Sequence, residues 1–225
     1  MPELLYTQQI ALSRRYRYDR TLVIAAIILA AGASTRMGCP KALLPDPDGR
    51  PFVARLVRTF ADAGSSPIVV VTGRDHAAIA AALAADALPV DPVVVNNPEP
   101  ARGQLSSLWT GLDVVMDAGA QAVLVTLVDM PLASVETVRQ VVDAWSRSRP
   151  PIVRPAIGDR HGHPVLFDRA LFADLRRAPL AEGAKAVLRA HADRIVNVAV
   201  DDEGCLVDVD TPDEYEALKK RGRGR

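Results

Sequence analysis

LAAGASTRMGCPKALLP, residues 29–45, is the stretch that decides how this chain is read. It ends an apolar run, Leu22 to Leu29, that breaks into small residues around Gly32, and Arg36 and Lys41 follow soon after. A strand feeding such a loop exposes backbone N–H groups, and small side chains let an anion come close to them. Two added cations suit a polyphosphate. A lysine ~4 Å from a phosphate oxygen gains roughly 4 kcal/mol at an effective dielectric near 20. The loop therefore points to a nucleotide site, with Ala30, Ala31, Gly32, Ala33 and Ser34 offering main chain and Arg36 and Lys41 offering charge. It is not a P-loop, because Cys39 stands where that motif needs its lysine. Nor is it a dinucleotide fingerprint, because Ser34 replaces the second glycine.

The 225 residues are 49% hydrophobic and only 4% aromatic, so the core must be built mostly from Ala, Val and Leu. Lys plus Arg and Asp plus Glu both number 27, which gives no general pull toward nucleic acid or a membrane surface. Cys39 and Cys205 belong to no CxxC pair and fit a reducing compartment rather than a disulfide framework. Residues 1–20 are polar and arginine-bearing, unlike a signal peptide, and the apolar stretch 22–31 is about half a membrane span. These features predict a cytoplasmic protein.

Short Val/Ile-rich runs alternate with helical patterns, which predicts βα units and a mostly parallel sheet in an α/β fold. The expected strands are Leu22–Leu29, Pro67–Thr72, Pro92–Asn96, Ala122–Leu127, Ile152–Arg154 and Ile195–Val200. Apolar residues recur at helical spacing in three stripes. These are Phe52, Leu56, Val57 and Phe60; Leu105, Leu108, Leu112, Val115 and Met116; and Val135, Val138, Val141, Val142 and Trp145. Ser134 suits the N-cap of the third, and Thr211-Pro212-Asp213-Glu214 opens a last helix. No linker divides the chain. The expected organisation is an N-terminal extension (1–20), one domain (21–219) and a solvated basic tail (220–225).

Asp129 follows the apolar run Ala122–Leu127, where the carboxyl end of a parallel strand places ligand groups, and Asp210 also sits between an apolar stretch and a helix. Two carboxylates converging on one hard cation would hold Mg²⁺ together with waters and triphosphate oxygens. Each aspartate equally suits a helix or turn cap, and Asp208 competes with Asp210. Gly103, Ser106 and Ser107 could meet a base edge or be ordinary helix-start residues, and Thr72 and Gly73 stand similarly at the end of the second strand. His161 and His163 lack a third ligand nearby and make a poor zinc site.

The loop resembles the signature of the nucleotidyltransferases that activate a phosphorylated acceptor with a nucleoside triphosphate, and within them the molybdenum cofactor cytidylyltransferases. Four further segments match in order: NPEPARGQLSSLWTGL (97–112), VDMP (128–131), GHPVLF (162–167) and DVDTP (208–212). The resemblance implies a three-layer α/β/α sandwich with a Rossmann-like sheet, and Mg²⁺ held by Asp129 and Asp210. It implies catalytic roles for Arg36, Lys41 and Asp129, and base contacts from Gly103, Ser106 and Ser107. It places His163 and Lys185 on the acceptor side. The acceptor would be molybdopterin, with a molybdenum enzyme as recipient of the product. CTP is the implied donor, because guanylyl members carry glycine where this chain has Ala31. Glu182-Gly183-Ala184-Lys185 departs from the family's Gly-Asp-x-Gly-Ala-Arg, and Lys presents a point charge rather than a fork. A methylerythritol-phosphate cytidylyltransferase shares the loop and is the rival enzyme. A non-catalytic nucleotide-binding cofactor escort is the rival of another class.

Overall fold

A computed structural model describes residues 22–34 and 37–222. The extension expected at 1–20 and the loop residue Arg36 lie outside them. In chain order the first half comprises β1 (Ile24–Ala30), α1 (Phe52–Asp62), β2 (Ile68–Thr72), α2 (His76–Ala85), β3 (Val93–Asn96), α3 (Gln104–Asp117) and β4 (Ala122–Leu127). The second half comprises α4 (Val135–Ser148), β5 (Ile152–Ile157), β6 (Arg160–His161), β7 (Val165–Asp168), α5 (Phe172–Arg177), α6 (Lys185–Ala190), β8 (Ile195–Ala199) and α7 (Pro212–Gly222).

β1 is apolar throughout because both of its faces are covered. Ala26, Ile28 and Ala30 face a core layer closed by α1, α2, α4 and α7, whereas Ala25, Ile27 and Leu29 face one closed by α3, α5 and α6. That is an α/β/α sandwich, and it explains the unbroken hydrophobic run. The strand order is β3-β2-β1-β4-β7-β5-β6, with β8 pairing β5. β1 lies parallel to both neighbours, Ala30 opposite Thr72 of β2 and Leu29 opposite Leu127 of β4, so the chain reverses its winding direction at β1. Ligands bind at such a switch point, outside the carboxyl ends of the strands.

The three periodic stripes form α1, α3 and α4 with their apolar sides buried, except that Met116 points outward. Ser134 caps α4 by accepting from the Thr137 N–H at 3.1 Å. Three features depart from the sequence reading. β7 is antiparallel and inserts between β4 and β5. α2 had no predicted counterpart, because HAAIAAALAA buries only Ile79 and Leu83 and shows no wide stripe. α7 runs through Gly222, so Lys220, Arg221 and Gly222, expected in the tail, continue a helix; lysine and arginine are good helix formers and complement the dipole at its end. Residues 223–225 lie outside the described residues.

Asp202 ties the loop before α7 to the start of α4. Its carboxylate accepts from Ser134 N–H at 2.8 Å, the Thr137 hydroxyl at 2.7 Å and Gly204 N–H at 2.9 Å. Burial alone would raise its pKa, but these donors outweigh it and hold the carboxyl below the usual range. Asp202→Ala should therefore cost about 2–3 kcal/mol, because it leaves several donors unpaired. A group with a depressed folded pKa stabilises above its unfolded value, about 3.9, and loses that contribution as pH falls through the folded value. In denaturant titrations the gap between wild type and variant should be level from roughly pH 5 to 8 and shrink below roughly pH 4.

Candidate nucleotide and metal site

The carboxyl ends of β1 and β4 are locked side by side, Val128 N–H donating to the Leu29 carbonyl at 3.1 Å. Asp129 follows immediately. Its carbonyl accepts from Val209 N–H at 2.9 Å, which draws the distant segment 208–210 alongside. Asp210 is set in turn by the α7 cap: Glu214 Oε2 accepts from the Asp210 and Thr211 N–H groups, both at 2.8 Å. Two aspartates far apart in sequence thus converge through main-chain bonds.

Lys41 lies between them. Its Nζ is 2.8 Å from Asp129 Oδ2 and 2.5 Å from Asp210 Oδ1. Burial would lower the lysine pKa, but the two carboxylates overcome it and raise the pKa above its ordinary value, so the ammonium stays charged. The Lys41 N–H donates to Ser34 Oγ at 3.1 Å, which fastens the loop after β1 to the turn Lys41–Leu43. Ser34 adopts φ +48° to make this closure.

These groups floor a pocket of about 320 Å³. Of the residues expected to bind nucleotide, Ala30, Ala31, Gly32, Ser34, Lys41, Gly103 and Ser107 line it, with Asp129 and Asp210. A Cβ at Gly32 would meet no atom of the described residues within 4 Å, so their packing does not demand glycine there; close approach of a ligand would. Gly73 is different. A Cβ there would come within 3.0 Å of the Ala31 carbonyl, so Gly73 supports the loop from behind.

The other expected contacts are not in the lining. Thr72 is fully buried, its hydroxyl engaged with His76 Nδ1 at 2.7 Å and the Val95 carbonyl at 3.0 Å. Ser106 Oγ donates to the Gly103 carbonyl at 2.7 Å and accepts from buried Asn97, which also holds Ser107. Thr72 and Ser106 are therefore supports rather than contacts, because internal acceptors already use their hydroxyls. Ala33 and Lys185 are exposed, and Lys185 stands at the start of α6, outside the pocket wall. His163 lies beyond Asp129, its Nδ1 donating to the Val125 carbonyl at 3.3 Å; burial lowers its pKa, so the ring is neutral. Gln104, within the segment 103–107 that the sequence set against a base edge, also lines the pocket, as does Asp75, which sequence reasoning missed. Each sits where a helix starts after a parallel strand, a placement the switch-point rule could have flagged.

Asp129, Asp208 and Asp210 each offer an oxygen within 4.8 Å of the others. Oδ1 of Asp129 is buried without a hydrogen-bond partner. Burial raises the Asp208 pKa to about 6, and repulsion from Asp129 and Asp210 adds to it. Hard oxygens in this number, one of them unsatisfied, fit a small divalent cation.

The sequence profile of the MobA-like NTP transferase domain matches residues 26–195. The chain belongs to this family. It is 28% identical over 203 residues to the "Probable molybdenum cofactor guanylyltransferase" of Mycobacterium avium, covering 88% of this chain and 96% of that one. To the molybdenum cofactor cytidylyltransferase of Escherichia coli it is 26% identical over 199 residues, with the same shares covered. The bifunctional protein GlmU of Anaeromyxobacter dehalogenans is 37% identical over 127 residues, 56% of this chain, but this match spans only about a quarter (26%) of GlmU. Rv0371c of Mycobacterium tuberculosis, solved in complex with manganese, superposes with a TM-score of 0.68 at 30% identity, covering 88% of this chain and 98% of that one. Among the described residues no helix is long and apolar enough to cross a membrane.

Gly32→Ala should leave the melting temperature essentially unchanged, since the added methyl meets no atom of the described residues within 4 Å. It should raise the KM for a triphosphate about tenfold, the effect of roughly 1.4 kcal/mol of crowding against the ligand. Metal affinity of the apoprotein, measured by calorimetry, should rise from pH 5 to 7, as Asp208 ionises through about 6.

Proposed function

We propose that this nucleotidyltransferase couples CTP to the terminal phosphate of a molybdopterin-type acceptor and releases pyrophosphate. One observation carries the reading: Lys41 and the Asp129–Asp210 pair meet at the floor of the pocket whose wall is the Ala30–Ser34 loop. The acceptor phosphate oxygen is already anionic near neutral pH, so the chain need supply no general base. Its work is alignment and charge neutralisation at the α-phosphate.

Main-chain groups of Ala30 to Ser34 face the triphosphate, and Lys41 brings positive charge to the departing pyrophosphate; Arg36, in the same loop, is assigned to that task as well. Asp129 and Asp210, with Asp208 beside them, would hold Mg²⁺. That cation would polarise the α-phosphate and template an in-line approach. Gln104 and Ser107, at the first turn of α3, and Asp75, just before α2, are the polar groups available to a base.

The preference for CTP rests on Ala31. Its methyl narrows the wall, and Gly73 packed against its carbonyl leaves it little room to retreat. Support for the acceptor comes from two relatives named for the molybdenum cofactor that match over most of the chain. On this reading His163 faces the acceptor side beyond Asp129, and a molybdenum enzyme receives the product.

Pyrophosphate release should be measured with CTP and GTP side by side, against molybdopterin and methylerythritol phosphate, with Mg²⁺. CTP with molybdopterin should turn over fastest, and a clear GTP preference ends the donor assignment. Nucleotide binding without pyrophosphate release with any acceptor would favour the escort function. Asp129→Asn should lower kcat by roughly 10²–10³-fold, the scale of losing one charge-stabilising group, with the circular dichroism spectrum unchanged.

A further inference from the structure

The side chain assigned to the triphosphate rests, in this structure, on the carboxylates assigned to the cation. Lys41 Nζ touches one oxygen of Asp129 and one of Asp210, and only 11% of the Lys41 side chain is exposed. A small hard cation needs its ligand oxygens at roughly 2.0–2.1 Å. Seated on these two carboxylates, it would lie within a few ångströms of a buried ammonium, with little water to screen the repulsion. Lysine and metal thus compete for the same two carboxylates.

We propose that Lys41 is an internal counter-ion that holds Asp129 and Asp210 until a triphosphate draws its ammonium away, so that metal alone binds weakly and metal and nucleotide bind cooperatively. This rests on the nucleotidyltransferase reading only in naming the anion. The backbone of Lys41 is pinned at both ends, its N–H on Ser34 Oγ at 3.1 Å and its carbonyl accepting from Leu44 N–H at 3.1 Å. Movement is confined to the flexible four-carbon stem. Its destination is close, because the bond to Ser34 brings the Ala30–Ser34 loop against the lysine. Once the ammonium turns to phosphate, Asp129 and Asp210 each give up the ion pair with Lys41 and gain affinity for a cation; by linkage, a bound cation strengthens the triphosphate site by the same factor.

The experiment is titration of the nucleotide-free protein with Mn²⁺ alone, free Mn²⁺ being read by electron paramagnetic resonance at neutral pH. Lys41→Met should bind Mn²⁺ about tenfold or more tightly than wild type, a shift of roughly 1.4 kcal/mol. Arg74 is paired with Asp75 at 3.7 Å at the pocket edge, so Arg74→Gln removes a nearby positive charge without touching Asp129 or Asp210 and should change affinity less than about twofold. An unchanged or weaker affinity in Lys41→Met, or equal gains in both variants, overturns the proposal. A purely structural lysine would give a damaged site and weaker binding.

If Lys41→Met does not fold, Lys41→Gln serves as the second variant, with the same expected gain. The wild type gives an independent reading. The Nζ resonance of Lys41 should keep its position with Mg²⁺ alone and move with Mg²⁺ and CTP together, as its acceptors change from carboxylate to phosphate; movement with Mg²⁺ alone overturns the proposal. None of these readouts depends on turnover, so failure of the pyrophosphate assay and failure of this proposal remain distinct.

Discussion

β1 and β4 run parallel in direct contact, and the Val128 N–H bond to the Leu29 carbonyl holds their ends level. The rest of the site depends on that bond. The glycine loop leaves from one strand end and Asp129 from the other, so main-chain donors and a carboxylate emerge a few ångströms apart without any long-range fitting of side chains. The Val209 bond to Asp129 then brings the second and third acids from a segment almost eighty residues away, and the α7 cap fixes their orientation. Side chains supply the chemistry, but the sheet and its flanking main-chain bonds supply the coordinates.

Such a site works against the stability of the fold. Three carboxylates with oxygens within 4.8 Å of one another repel, and the raised pKa of Asp208 records its desolvation together with that repulsion. Lys41 relieves part of it and keeps its charge although burial opposes this. Nearby, buried Asp46 accepts from Arg55 at 2.9 Å while Arg55 Nε also donates to the Pro131 carbonyl at 3.1 Å, and the Asp202 network braces the start of α4. These ordinary satisfied contacts surround a centre that is poorly satisfied by itself, the pattern expected where function overrides local consistency.

The fold and the geometry of the pocket loop were legible in the sequence because their physics is local. A doubly covered strand must be apolar, a helix on a sheet must carry a stripe, and a loop of small residues ending in cations has few structural uses. Asp129 could be placed from its position after β4. What escaped notice had no such signature. α2 is mostly alanine, so propensity rather than periodicity makes it a helix. β7 reads like any other short apolar run, and nothing in Val165–Asp168 announces that it will run backwards between β4 and β5. Thr72, at the end of β2, and Ser106, in the first turn of α3, fell close to the pocket, yet one residue of register decides whether a hydroxyl faces the pocket or the interior, and here nearby carbonyls captured both. Asp75 would have required knowing that its helix begins at the pocket.

The reversed strand β7 divides the sheet into two unequal neighbourhoods. From β3 to β4 every pairing is parallel, so each strand must be followed by a crossover, and a change in one loop is felt through the whole stack. Beyond β4 the chain can return by simple turns, such as the one through Gly158 and Asp159 that joins β5 to the antiparallel β6. Turns of that kind can lengthen, shorten or change composition without shifting the strands beneath them. The architecture therefore keeps a rigid vice on one side and leaves the facing jaw free to be recut during evolution.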